Sequence, residues 1–348
     1  MSAPFAFALP PDLAAREPPE CRGLSRDGVR LLVLDRATGA VEHTRFNRLG
    51  EFLQRGDLLV FNSSRTLPAV LRGRVESASS DVEVRLAEHL SDDTWLALIL
   101  EGARERDATL RYGQRIQFGD GLSAEILGRD AFIPRLRRLR FSATGSQLIE
   151  AIYRLGRPIR YEHVSRPWCL DYYQTVYACE PGSAEMPSAG RAFTWQMLRK
   201  LERLGIDSTR IVLHTGLSSF LDDEFDAAHP ASEEEYRISP SAAAKVNRAR
   251  LAGRRVVAVG TTVVRALESA ATTQGSVRPG HAYTRLRVTA EHTLRVVDGL
   301  LTGLHEPEAS HLDLLIAFVP AATIRDAYDE AIRRRYLWHE FGDLNLII

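Results

Sequence analysis

Residues 256–271 read VVAVGTTVVRALESAA. The opening run of β-branched and small apolar residues has the composition of a strand covered on both faces, and it stops at Gly260. Two threonines follow, and the apolar spacing then changes to that of a helix, with Arg265 and Glu268 about one turn apart. Strand, glycine and helix in immediate succession make half of an α/β unit, so the expected fold class is an α/β main domain. A glycine at the strand end lets the backbone come close to a ligand. The open N–H groups of the helix start, with the Thr261 and Thr262 hydroxyls, would then suit a carboxylate or phosphate. The competing reading is a plain helix cap at Thr261 or Thr262 with a solvated Arg265–Glu268 pair.

The neighbouring segments support the alternation. TRIVLHTGL (209–217) reads as a strand and SPSAAAKVNRARLAG (239–253) as a helix opened by Ser239 and Pro240. SQLIEAIYRLG and RAFTWQMLRKLERLG carry apolar residues three and four apart and end at glycine, as helices do. Near the N-terminus VRLLVLD (29–35) and DLLVF (57–61) are buried strands, with RATGAVEHTRF a turn and strand and NRLGEFLQRGD a short helix between them. LLTGLHEPEASHLDLLIAFVP (300–320) reads as a loop passing into a helix. Residues 68–145 differ: about six brief alternating segments separated by Gly, Asp and Ser suggest a small antiparallel β-barrel. The expected organisation is a main domain of 1–67 and 146–348 with an inserted β-barrel domain at 68–145.

Composition narrows the function classes. Lys plus Arg equals Asp plus Glu at 45 each, so no global charge draws the chain to nucleic acid or membrane. Cys21, Cys169 and Cys179 form no CxxC pair, which argues against a disulfide framework or zinc site. The N-terminus lacks the pattern of a signal peptide, and no apolar run approaches the ~20 residues a bilayer requires. A cytoplasmic protein without membrane contact is expected.

Four further stretches could carry chemistry. DLLVFNSSRTLPA (57–69) delivers Asn62, Ser63, Ser64 and Arg65 from a buried strand, and Arg65 could clamp a carboxylate, although an Asx-type turn with a surface arginine has equal standing. The Gly-, Pro- and Ser-rich loop within 173–198 feeds a helix and has the length of a functional loop or a connector. His214 ends a strand, and His305 lies six residues before His311; a structural role is the default for a single histidine. The spacing of His305, His311, Glu306 and Glu308 matches no zinc pattern, so no metal is assigned. PRLRRLR places Arg135, Arg137, Arg138 and Arg140 on the inserted domain, where alternate arginines could neutralise phosphates or simply be solvated.

Taken in order, VRLLVLDRATGAVEHTRF, GDLLVFNSSRTLPAVLRGR, YQTVYACEPGS…PSAGRAFT, VLHTGLSSF, VVAVGTTVVRALESAA, VVDGLLTGLHEPEASHLDLLIAF and FGDLNLI resemble the S-adenosylmethionine:tRNA ribosyltransferase-isomerase family of queuosine biosynthesis. The resemblance covers almost the whole chain. It implies an α/β domain with an inserted β-barrel and no metal or redox cofactor. The implied activity moves the ribosyl part of S-adenosylmethionine to the aminomethyl group of a 7-deazaguanine in tRNA. Adenine and methionine are released and the sugar is isomerised to the epoxycyclopentanediol of epoxyqueuosine.

On that basis Gly260, Thr261 and Thr262 are expected to cradle S-adenosylmethionine, Arg65 or Arg265 to clamp its carboxylate, and Asn62 to orient the ribose. His214 and Glu268 are the acid–base candidates, with His305 in reserve. The chain departs from the family pattern in PSAGRAFT, where Ala192 replaces a histidine and Arg191 a bulky residue. It also departs in NSSR, where Ser63 replaces an aspartate, and in GLHEPEASHL, where Glu308 replaces a lysine. These departures also admit a divergent paralogue with a non-tRNA acceptor, or a non-catalytic nucleotide- or RNA-binding homologue.

Overall fold

The structure is a computed structural model that describes residues 7–76, 80–101, 106–107, 110–161, 163–217, 233–307 and 310–348. Along the chain, β1 (Arg30–Leu34), β2 (Val41–Arg45), β3 (Leu58–Asn62) and a short β4 (Ser64–Thr66) come first. Seven strands follow: β5 (Val70–Val75), β6 (Asp81–Ser91), β7 (Thr94–Glu101), β8 (Arg106–Asp107), β9 (Arg115–Gly119), β10 (Leu122–Arg129) and β11 (Leu136–Phe141). Then come α1 (Gly145–Leu155), β12 (Glu180–Ser183), α2 (Trp195–Arg203), β13 (Asp207–Leu213), β14 (Glu234–Ile238) and α3 (Pro240–Leu251). β15 (Val256–Val259), α4 (Thr261–Ser269), β16 (Gly280–Thr284) and β17 (Gly299–Gly303) lead to α5 (Ser310–Leu315), α6 (Ala321–Arg333) and β18 (Leu344–Ile347).

Nine strands form the main sheet in the order β16-β14-β13-β3-β15-β17-β18-β1-β2. The central four, β13, β3, β15 and β17, are mutually parallel, so their carboxyl ends share one rim. Their continuous apolar runs follow from cover on both faces. Leu58, Val60, Val256 and Ala258 point to one side with residues of α3, α4 and α6, whereas Leu59, Phe61, Val257 and Val259 point to the other with Phe193, Met197 and Leu201. GLLTG, expected as loop, is instead β17, pairing with β15 on one side and β18 on the other. Its run is too short for periodicity to distinguish strand from loop. α3 opens as expected: Ser239 Oγ accepts the N–H of Ala242 at 3.1 Å, and Pro240 is the first helical residue.

The inserted segment closes on itself. β5, β6, β7, β11, β10 and β9 form a six-stranded antiparallel barrel, with β11 pairing to β7 and β5 to β9. Trp95, Leu98, Ile116, Leu136 and Leu139 belong to one buried apolar cluster built on its strands. α1, placed by sequence at the resumption of the main domain, packs Leu148, Ala151 and Ile152 against the barrel core. No described helix is long and apolar enough to cross a membrane.

Candidate functional site

The rim of the parallel strands gathers Asn62, Gly260, Thr261, Thr262, His214 and the β17 exit before His305. Gly260 has φ +98°, a conformation that disfavours any side chain. Space is not the reason, because an added Cβ would meet Thr262 Oγ1 at 3.5 Å and Ala189 Cβ at 3.6 Å. Gly260 is itself the residue that caps α4, and no side chain accepts from the helix start. The threonine hydroxyls therefore do not serve as the helix cap. They sit nearly buried at the strand ends, above the first open N–H groups of α4.

Asn62 is tied into the sheet. Its Oδ1 accepts the N–H of Leu213 at 3.0 Å and of Ser64 at 3.1 Å, and its Nδ2 donates to the Leu213 carbonyl at 2.8 Å. The second amide proton faces Thr262 Oγ1 at 3.5 Å. Asn62 thus locks β3 to β13, and its side chain has little left for a ribose. Ser63, at the family's aspartate position, is buried and donates to the Ile211 carbonyl.

His214 follows β13. Its Nδ1 lies 2.7 Å from Ser64 Oγ, and its backbone N–H donates to the Glu235 carbonyl. Burial, opposed by Glu235, holds its pKa below the ordinary 6.5, and His89 and His281 push the same way. The imidazole packs on the Gly182 backbone so closely that a Cβ there would lie 2.4 Å from the ring.

The charged pair of α4 is neither solvated nor mutual. Arg265 forms a buried ion pair with Glu234 on β14, both side chains about 5% exposed. Glu268 accepts from the backbone N–H groups of Arg295, Val296 and Val297 at 2.9, 3.0 and 3.0 Å, and His292 lies 3.5 Å away. A helix buried on nearly every side forces both charges to find partners inside the fold. Arg265 is thereby engaged away from a carboxylate clamp and Glu268 away from acid–base work. Arg65 is exposed on β4 with its guanidinium 5.8 Å from the Tyr153 ring centroid, which leaves it available to an anion.

His305 stands apart from the His214 cluster. Its Nε2 bonds Thr302 Oγ1 at 2.8 Å, and its ring stacks on His311 at 4.7 Å. Burial first, and His311 second, holds its pKa well below the usual 6.5. Nearby, His163 Nε2 lies 2.9 Å from a Glu340 carboxylate oxygen and His339 Nδ1 lies 2.9 Å from one of Glu306. One potential ligand atom from each of His163, His339 and Glu340 lies within 4.8 Å of the other two, but the two rings stack face to face at 3.9 Å instead of converging on a point. Glu308 lies outside the described residues.

The arginine run is interrupted. Arg138 and Arg140 are exposed on one face of β11, Arg140 pairing with Glu125 at 3.0 Å. Arg137 corrects the expected stripe: strand alternation turns it inward, 4% exposed, where it donates to the carbonyls of Pro134 and Arg135. Arg135 is half-buried before the strand begins.

The roles of two further residues were not legible in the sequence. Arg191, beside the missing histidine, is a buried staple bonding the Tyr172 carbonyl at 2.7 Å and Glu20 at 2.9 Å, while Ala192 joins the core under the sheet. Glu88 lies at a β-bulge of β6, where the barrel meets the main domain. Burial, reinforced by Asp130, Glu233 and Glu234, pushes its carboxyl up to about 7.

Comparison with known proteins places this geometry in context. The family described as queuosine biosynthesis protein matches residues 2–347. A curated protein of Symbiobacterium thermophilum, named S-adenosylmethionine:tRNA ribosyltransferase-isomerase, is 39% identical over 99% of this chain and 98% of its own. One of the same name from Carboxydothermus hydrogenoformans is 38% identical over the same shares. A crystal structure of an S-adenosylmethionine tRNA ribosyltransferase from Thermotoga maritima is 30% identical, with a TM-score of 0.56, over 99% of this chain and all of that one.

Proposed function

Because the chain belongs to the queuosine biosynthesis family, we propose that it is an S-adenosylmethionine:tRNA ribosyltransferase-isomerase acting on a 7-aminomethyl-7-deazaguanine in tRNA. The observation that carries this is the end-to-end match, which spans both the main sheet and the inserted barrel. S-adenosylmethionine is a substrate here. Its ribosyl group goes to the acceptor amine with isomerisation to the epoxide, and adenine and methionine leave. The divergent readings are not favoured, since relatives matched along 99% of the chain carry one activity in their names. The Ala192 and Ser63 departures are absorbed by packing and a backbone hydrogen bond.

The chemistry requires a nucleoside held still, a proton taken from the carbon next to the sulfonium, and charge stabilisation as adenine departs. Gly260, Thr261 and Thr262 are assigned to the nucleoside, at the carboxyl ends of parallel strands where such ligands lie. Arg65 is assigned to the methionine carboxylate, because Arg265 is held by Glu234. His214 faces the same rim from β13. Arg138 and Arg140 offer exposed charge to tRNA phosphates.

Incubation with S-adenosylmethionine, with and without tRNA bearing the aminomethyl-deazaguanine, tests the reading. Adenine and methionine should appear only when that tRNA is present. Release without tRNA, or no release in its presence, would overturn it.

A further inference from the structure

The short parallel pair of β4 and β12 brings two buried hydroxyls beside His214. Ser64 Oγ lies 2.7 Å from His214 Nδ1 and 2.6 Å from Ser183 Oγ, and Ser183 Oγ accepts the N–H of Thr215 at 3.0 Å. Both serines have no exposed surface. Each hydroxyl has one proton and two acceptor lone pairs. If Ser183 donates to Ser64 and Ser64 donates to Nδ1, every hydroxyl proton has an acceptor. If His214 donates from Nδ1 instead, three protons share the two contacts, whichever way the serines turn. One serine proton then has no acceptor among the described residues, a buried donor left unsatisfied.

We infer that Ser64 and Ser183 are positioning residues that hold His214 as its Nε2–H tautomer, so that it meets the substrate as a neutral hydrogen-bond donor and not as a base. Nε2 has no hydrogen-bond partner among the described residues, which leaves it for an acceptor nitrogen or oxygen of the bound nucleoside. Two other contacts keep the arrangement in register. Asn62 bonds the N–H groups of both Ser64 and Leu213, and Gly182 forms a floor under the imidazole that no larger residue could supply. Burial of the ring also disfavours its charged form. A neutral imidazole donor of this kind polarises an acceptor without needing to be recharged between turnovers.

The substrate-facing part of this inference rests on the proposed function; the tautomer itself does not. Nitrogen NMR of the enzyme labelled with 15N-histidine reads the tautomer directly, with the His214 signals assigned by their loss in His214→Gln and by their shift in Ser183→Ala. The expected spectrum shows an unprotonated Nδ1 and a protonated Nε2. Ser64→Ala should give a mixture of tautomers and lower turnover on the order of tenfold, and Ser64→Thr should restore both. A protonated Nδ1 in the unsubstituted enzyme, or an unchanged tautomer ratio in Ser64→Ala, refutes the positioning role. The expected tautomer together with full turnover in His214→Gln refutes only the substrate-facing part. Because the spectrum needs no turnover, it remains decisive even if the proposed activity fails.

Discussion

The carboxamide of Asn62 bonds both backbone groups of Leu213, accepting its N–H at 3.0 Å and donating to its carbonyl at 2.8 Å. A side chain thus extends the ladder between two parallel strands where their backbones begin to part. Asn62→Ala should cost roughly 2–4 kcal/mol, because the N–H groups of Leu213 and Ser64 would be left buried without an acceptor. Denaturant unfolding measures this. A change below about 0.5 kcal/mol, the scatter of an unremarkable surface substitution, would show that the clamp is not structural.

Glu268 should behave as a latch. Its carboxylate accepts three backbone N–H groups at the start of a segment that would otherwise end in open donors. Glu268→Gln retains one acceptor oxygen and replaces the other by a donor, so a loss of about 2–3 kcal/mol is expected from charge-assisted bonds of this kind. The melting temperature should fall and the binding of S-adenosylmethionine to the remaining folded protein should be unchanged. A fully stable Glu268→Gln without turnover would return the residue to the acid–base candidates.

Glu88 gives a pH dependence with a definite sign. Its carboxyl is raised from 4.5 to about 7, so the folded state favours the protonated form. The stability it contributes is complete below about 4.5 and is lost as pH rises through about 7. Glu88→Gln, which cannot ionise, should therefore gain stability relative to the unsubstituted protein between pH 5 and about 8. Melting temperatures of the two proteins across that window check it. Parallel curves would remove the shift.

The arginines of the barrel should separate into two kinds. Arg138→Ala and Arg140→Ala should each weaken tRNA binding and reduce the salt slope by about one, with stability unaffected. Arg137→Ala should lower the melting temperature, because its guanidinium closes the carbonyls of Pro134 and Arg135. Equal salt slopes for all four proteins would place the tRNA elsewhere.

The uneven legibility of the site has a physical basis. VVAVGTTVVRALESAA identified strand, glycine turn and helix, because apolar runs and a positive-φ glycine are local properties. The inserted barrel was visible for the same reason, as six alternating segments between turn residues. GLLTG was missed because five residues with a glycine at each end and a threonine among them look like a loop until two partner strands lie beside them. Arg265 and Glu268 read as one surface pair because helical spacing puts them one turn apart. In the fold they serve separate partners, Glu234 and the 295–297 backbone, which lie far from them in sequence or beyond the helix end.

By itself the sequence determined the alternation of strand and helix, the presence of a small β-barrel beside it and the glycine that must stand at the mouth of β15. Each of these depends on residues within a few positions of one another. Only the tertiary structure decided which polar groups remain available for chemistry. Burial drives charges and polar groups to find partners, and for Asn62, Glu268, His214 and Arg137 the partner is fixed by which segments the fold brings within about 3 Å.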